Sequence, residues 1–196
     1  MRLFVALTPP AAVVEELVAA TGGVRAEHPE LRWIPTEQWH LTLAFLGEVG
    51  DREREDLVPR LGRAASRHPP LRLSFASAGR FGDRVLWTRV RGDVDPLRRL
   101  AASVQAAARR ARLAVETRPY RPHLTLARTR QATDLRPVVE TLEDFSGREW
   151  EAAELHLVRS HLGAGPGGGA RHEPIEGWPL TGRPQGSPET SAGWPR

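Results

Sequence analysis

An α+β fold built mainly on antiparallel sheets is predicted by three features of the sequence. Strand-like and helix-like segments are interspersed without the regular alternation of a parallel βαβ chain. Several stretches alternate apolar and polar residues at the strand period, as in Leu71, Leu73 and Phe75. The chain has 196 residues, 40% hydrophobic and 27% charged, enough for one compact domain or two small lobes.

In chain order, residues 2–7 read as a buried strand closed by Pro9-Pro10. Proline is tolerated in a first helical turn, and Val13, Val14, Leu17 and Val18 make an apolar stripe, so a helix is expected over 11–25. Short strands follow at 31–34, stopped by Pro35, and at 40–46, stopped by Gly47. A charged helix over 51–66 turns Leu57, Val58 and Leu61 inward. Strands at 71–76 and 85–90 flank a Gly82-Asp83 hairpin turn. Asp95 as N-cap and Pro96 at the first helical position open a helix that runs to about residue 112. A strand at 123–128, a helix at 134–142, one alternating strand at 151–160 and a last strand at 171–180 complete the reading, with a glycine-rich loop at 163–169. Residues 1–181 are taken as the folded domain, and the Gly, Pro and Ser-rich residues 182–196 as a disordered tail.

Composition excludes several classes. There is no Cys, so disulfide scaffolds, thiolate metal sites and Cys nucleophiles are ruled out. No apolar run reaches membrane-spanning length and the apolar start is too short for a secretion signal, so a cytoplasmic protein with no membrane partner is expected. The net charge is only +4, a weak guide to partners, although the predominance of Arg suits forked contacts to phosphate oxygens.

The informative signal is an internal echo. His40-Leu41-Thr42-Leu43-Ala44 recurs as His123-Leu124-Thr125-Leu126-Ala127, 83 positions on, each copy on a predicted strand after a proline. Side chains alternate along a strand, so each copy offers one imidazole and one hydroxyl on one face, backed by two leucines on the other. If the two halves are related by a pseudo-twofold axis, these polar faces meet across a groove. Opening a cyclic phosphodiester needs a base for the attacking water and an acid for the leaving oxygen, and imidazole can serve as either near neutrality. The two Thr hydroxyls and an Arg can bind the charged phosphoryl oxygens. Arg128 follows the second copy, but strict alternation puts it on the face opposite His123 unless a bulge intervenes. Each His-x-Thr offers one ligand, and no Asp, Glu or Cys stands at ligand spacing, so no metal is expected. No Gly-x-x-x-x-Gly-Lys-Ser/Thr loop is present, so no nucleotide cofactor is expected either.

With its flanks, residues 32–35, 40–47 and 118–128, the echo resembles the two-histidine (2H) phosphoesterase superfamily, and within it the RNA 2′,3′-cyclic phosphodiesterases historically called 2′-5′ RNA ligases. The resemblance covers about residues 1–180. It implies two lobes of antiparallel sheet, helices outside, around a central cleft, in a monomer. It implies that His40 gives a proton to the leaving ribose oxygen, that His123 takes one from water, and that Thr42, Thr125 and Arg128 bind phosphate. The implied substrate is RNA or a nucleotide ending in a 2′,3′-cyclic phosphate, opened to a 2′-phosphomonoester without cofactor. Two other readings keep the same residues: 2′-5′ RNA ligation, and a non-catalytic nucleotide-binding module. Phe45 and Tyr120 are candidates for stacking on a base. Trp33, Trp39, His156 and His161 are read as packing or surface residues, and the Arg98-Arg99 and Arg109-Arg110 pairs as a solvated helix face.

Overall fold

A computed structural model describes residues 1–165 and 168–183 of the chain. Its elements, in order, are β1 (Arg2–Leu7), α1 (Ala11–Glu27), β2 (Arg32–Trp33), β3 (Leu41–Glu48), α2 (Asp51–Ala65), β4 (Leu71–Phe81), β5 (Val85–Gly92), α3 (Val94–Arg110), β6 (His123–Arg128), α4 (Arg136–Thr141), β7 (Trp150–Ala152), β8 (Glu154–His161) and β9 (Arg171–Pro179). The expected tail lies outside the described residues except for Gly182 and Arg183. Gly182 donates its N–H to the His68 carbonyl at 2.9 Å.

The strands form two antiparallel sheets, one ordered β3-β1-β8-β9 and the other β2-β6-β5-β4-β7. The fold class and the two-lobed sheet arrangement agree with the expectation, but the lobes do not coincide with two sequence halves. The first sheet joins the N-terminal strands β1 and β3 to the last two strands, and the second takes β2 from between β1 and β3. The stretch expected as one strand over 151–160 is two: β7 ends on the second sheet beside β4, and after Ala153 the chain enters the first sheet as β8 beside β1. The crossing shows only as a one-residue slip of the alternation: Trp150 and Ala152 are buried before it, Ala153 and Glu154 are both exposed, and Leu155 and Leu157 are buried after it.

Helix α3 meets the sheets through an apolar stripe. Leu97, Leu100, Ala101, Val104, Ala107 and Ala108 of α3 are buried, while Arg98, Arg99, Arg109 and Arg110 are exposed. This helix touches β3 of one sheet and β4 of the other, and α2 packs on α3 and β9. The N-cap position of α3 is Asp93, not Asp95. The Asp93 carboxylate accepts the Arg72 N–H at 2.9 Å, while Asp95 sits in the first turn, favourable to the helix dipole, and pairs with Arg98 at 2.7 Å. The leucines of both echoes, Leu41, Leu43, Leu124 and Leu126, are at most 2% exposed and belong to one continuous core. They anchor the strands whose opposite faces carry the polar residues.

Candidate active site

The two echoes share more than sequence. A turn of 3₁₀ helix at Thr36–Gln38 precedes the first copy, and His40 lies just before β3. Its Nδ1 is 2.6 Å from the Gln38 carbonyl oxygen; His123 Nδ1 is 2.7 Å from that of Arg121. A carbonyl can only accept, so Nδ1 carries the hydrogen in both rings, and Nε2 is the atom that gains or loses a proton. In each copy the chain's own backbone, two residues earlier, fixes the tautomer and anchors one point of the ring.

The same irregularity follows each copy. On β3, Ala6 pairs with Thr42 and Val5 with Ala44, so Leu43 is left without a partner. On β6, Trp87 pairs with Thr125 and Leu86 with Ala127, so Leu126 is the extra residue. Both are bulges, and each reverses the alternation after the Thr. The reversal shows in burial: Leu126 and Ala127 are both buried and Arg128 is exposed, as Leu43 and Ala44 are buried before exposed Phe45. Arg128 therefore returns to the face of His123 and Thr125, and its charge is one of the influences lowering the His123 pKa. Phe45 holds the equivalent place in the first copy, with 58% of its surface exposed.

Strands β3 and β6 lie against each other across the two sheets. A cavity of about 530 Å³ opens beside them, walled by Thr42 and Phe45 from β3, Phe81 at the end of β4, His123 from β6, and the segment before β6 that includes Glu116, Arg118 and Tyr120. Thus Thr42 and His123, one from each echo, face a single space. His40, Thr125 and Arg128 flank it rather than wall it, with His40 close enough to His123 for the two charges to oppose each other. Both stacking candidates, Phe45 and Tyr120, are on the cavity wall; of the residues read as packing or surface, Trp39 is buried in the core and Trp33 turns its indole N–H to the His28 carbonyl. The Tyr120 hydroxyl is buried without a partner among the described residues, and burial raises its pKa well above the ordinary value, so the phenol stays neutral.

Each imidazole also belongs to a triangle of rings that the sequence did not reveal. His40 is stacked on Phe4 at 4.7 Å between centroids and meets His172 edge-on at 5.2 Å. His123 meets Phe81 edge-on at 4.8 Å and Trp87 at 6.1 Å. Gly79 lies opposite Trp87 on β4, where any Cβ would run into the indole ring; its glycine leaves room for Trp87 to lie across the strand. A period-two reading of β1 places Phe4 and Ala6 on the face opposite Leu3, Val5 and Leu7, the one signal that separates Phe4 from the main core.

Burial dominates the electrostatics. It lowers the pKa of His40 from 6.5 to about 4, with the opposing charges of His172 and His123 adding to it and the Gln38 bond partly resisting. His123 and His172 are lowered for the same first reason. Proton affinity at His40 is thus weaker in the folded than in the unfolded chain, so this group's contribution to stability is present above about pH 6.5 and is lost as pH falls toward 4. An anion in the cleft reverses the preference by stabilising the imidazolium, and its binding takes up a proton. Sulfate, whose charge is fixed over this range, should therefore bind more tightly as pH falls from about 8 to about 5, by up to roughly tenfold per unit where uptake approaches one proton. Calorimetry in buffers of different ionisation heat measures both quantities; pH-independent affinity without proton uptake would refute the account.

Among the described residues, no group of three His, Cys, Asp or Glu side chains is arranged to hold a metal ion, and no helix is long and apolar enough to cross a membrane.

Two antiparallel sheets with a His-x-Thr strand from each at a shared cleft define the two-histidine phosphoesterase class. Residues 9–164 match the family described as the 2′-5′ RNA ligase superfamily, and the chain belongs to it. It is 33% identical over 187 residues to an RNA 2′,3′-cyclic phosphodiesterase of Escherichia coli strain K12, covering 92% of this chain and 97% of that relative. A Geobacillus stearothermophilus protein of the same description is 26% identical over 188 residues, 93% of this chain but 58% of the relative's length. The crystal structure of E. coli LigT complexed with 3′-AMP superposes with a TM-score of 0.74 at 30% identity, covering 92% of this chain and 98% of that one.

Proposed function

We propose that this chain hydrolyses 2′,3′-cyclic phosphate ends of RNA or nucleotides to 2′-phosphomonoesters by paired imidazole catalysis. The observation that carries the proposal is the matched pair of histidines, each with Nδ1 tied to a backbone carbonyl and Nε2 left to move a proton, on strands that meet at one cleft.

Neutral His123 accepts a proton from water at Nε2 as the water oxygen bonds to phosphorus. Protonated His40 gives its Nε2 proton to the ribose 3′ oxygen as the bond from that oxygen to phosphorus breaks. The histidines finish with protonation states exchanged and reset through solvent. Thr42, Thr125 and Arg128 donate to the non-bridging oxygens, whose charge grows in the transition state. Phe45 and Tyr120, on the cavity wall, offer surfaces for the adjoining base. Burial keeps the free histidines neutral, and the substrate's own negative charge brings the acid's proton affinity back into a working range. All these groups come from one chain, so a monomer suffices; its action in the cytoplasm is part of the same proposal.

The direct test is an oligonucleotide ending in a 2′,3′-cyclic phosphate, with products resolved as 2′- or 3′-phosphate. The 2′ isomer should accumulate at an undiminished rate in excess EDTA. Activity abolished by the chelator, or release of the 3′ isomer, would overturn the proposal. Joined 2′-5′ product at high concentrations of ends would indicate the reverse reaction through the same groups, and tight nucleotide binding without turnover would indicate a binding module.

A further inference from the structure

His172 is absent from every role assigned so far, yet it touches the candidate acid. It lies on β9 directly across from Ser160 of β8, and its ring is 4.9 Å from Phe4 and 5.2 Å from His40. With the Phe4–His40 stack at 4.7 Å, the three rings close a triangle. The other lobe builds a counterpart: His123, Phe81 and Trp87 are separated by 4.8, 6.1 and 5.1 Å. In both triangles one corner is a candidate catalytic imidazole and another a phenylalanine. The third corner is an indole in one lobe and the His172 imidazole in the other.

His172 is held differently from the two echo histidines. Their Nδ1 atoms are fixed by backbone carbonyls, whereas His172 Nδ1 is buried with no hydrogen-bond partner among the described residues. Packing against Phe4 and His40 sets its place, and the contact acts both ways. The Gln38 bond fixes one point of the His40 ring but leaves it free to rock about that bond; Phe4 covers one face and the edge of His172 limits the swing.

We propose that His172 is a positioning residue for His40, a ring wall that holds the imidazole at the angle from which its Nε2 reaches the leaving oxygen. The inference rests on the function proposed above. Misplacing a reacting group by a fraction of its bond length is felt in turnover more than in substrate binding.

The test uses three variants of the full chain, His172→Ala, His172→Leu and His172→Phe, each checked for an unchanged melting transition. Ala removes the ring, Leu keeps volume without a flat edge, and Phe restores the ring. Ala and Leu should lower kcat about tenfold with KM within about twofold, and Phe should recover most of the loss. Proton NMR supplies a readout independent of substrate. The Nδ1–H of His40, sheltered in its 2.6 Å bond, should broaden or vanish in the Ala and Leu variants and return with Phe, while that of His123 stays as an internal reference. Full turnover in the Ala and Leu variants with an unaltered His40 signal would overturn the inference. So would losses that Phe fails to repair. An inactive wild-type chain would sink the functional reading alone, because the NMR comparison still decides whether His172 orders the His40 ring.

Discussion

Alanine at His123 should slow the opening of a 2′,3′-cyclic nucleotide about 10³-fold, with the protein still folded, because it removes the base that takes the proton of the attacking water. His40→Ala should give a loss of similar size by removing the acid. Each substitution deletes one hydrogen bond to a backbone carbonyl, at 2.7 and 2.6 Å respectively, and the stability cost should be about 1 kcal/mol. The double variant should be little slower than the slower single one, because the two imidazoles serve one transition state and the second removal takes away a group already idle. Leaving-group chemistry separates the roles. A p-nitrophenyl phosphodiester expels an oxygen that needs no proton, so this substrate should recover much of its rate in the His40 variant and none in the His123 variant. The opposite pattern would exchange acid and base. Equal losses on both substrates would mean that neither histidine acts as the acid. The pH profile adds a sign: burial lowers both imidazoles, so kcat/KM of the free protein should peak on the acid side of 6.5, its two limbs belonging to the coupled pair rather than to either residue.

The sequence carries the echo openly because a strand records its two faces in alternate residues. His, Thr and the intervening leucines therefore announce both the polar face and the core behind it, and β3 and β6 lie close to where alternation puts them. Features set by residues far apart in the chain were not legible. Phe4, Phe81, Trp87 and His172 reach the two histidines from β1, β4, β5 and β9, and each reads locally as an ordinary strand residue. The interleaving of the lobes is nearly silent, since the change of sheet needs only one residue between β7 and β8 and leaves no trace but a one-residue slip of the apolar alternation at Ala153 and Glu154. The symmetry suggested by the echo survives locally, in the Nδ1 bonds and bulges, while the sheets around it are assembled from unequal parts of the chain.

Arg128→Ala should lower kcat/KM about 10²-fold, most of it in kcat, the size expected when one donor to a developing phosphoryl charge is lost. Strict alternation from His123 would aim this side chain away from the cleft. The Leu126 bulge turns it back, placing two buried residues in succession before the exposed arginine. Its partner across the β2–β6 ladder is Arg32, also exposed, so two guanidinium groups stand at one register position of neighbouring strands. Like charges placed directly opposite destabilise a sheet, and an anion between them relieves the repulsion. Removing Arg128 should therefore leave the ligand-free protein as stable as before, or slightly more so, while weakening its stabilisation by sulfate. Arg128→Lys should recover binding better than turnover, because a single ammonium supplies the charge but not the two parallel hydrogen bonds of the guanidinium fork. A fall in sulfate stabilisation with undiminished kcat would make Arg128 a binding contact only. If both are unchanged, the side chain points elsewhere in solution, and the bulge does not serve the phosphate.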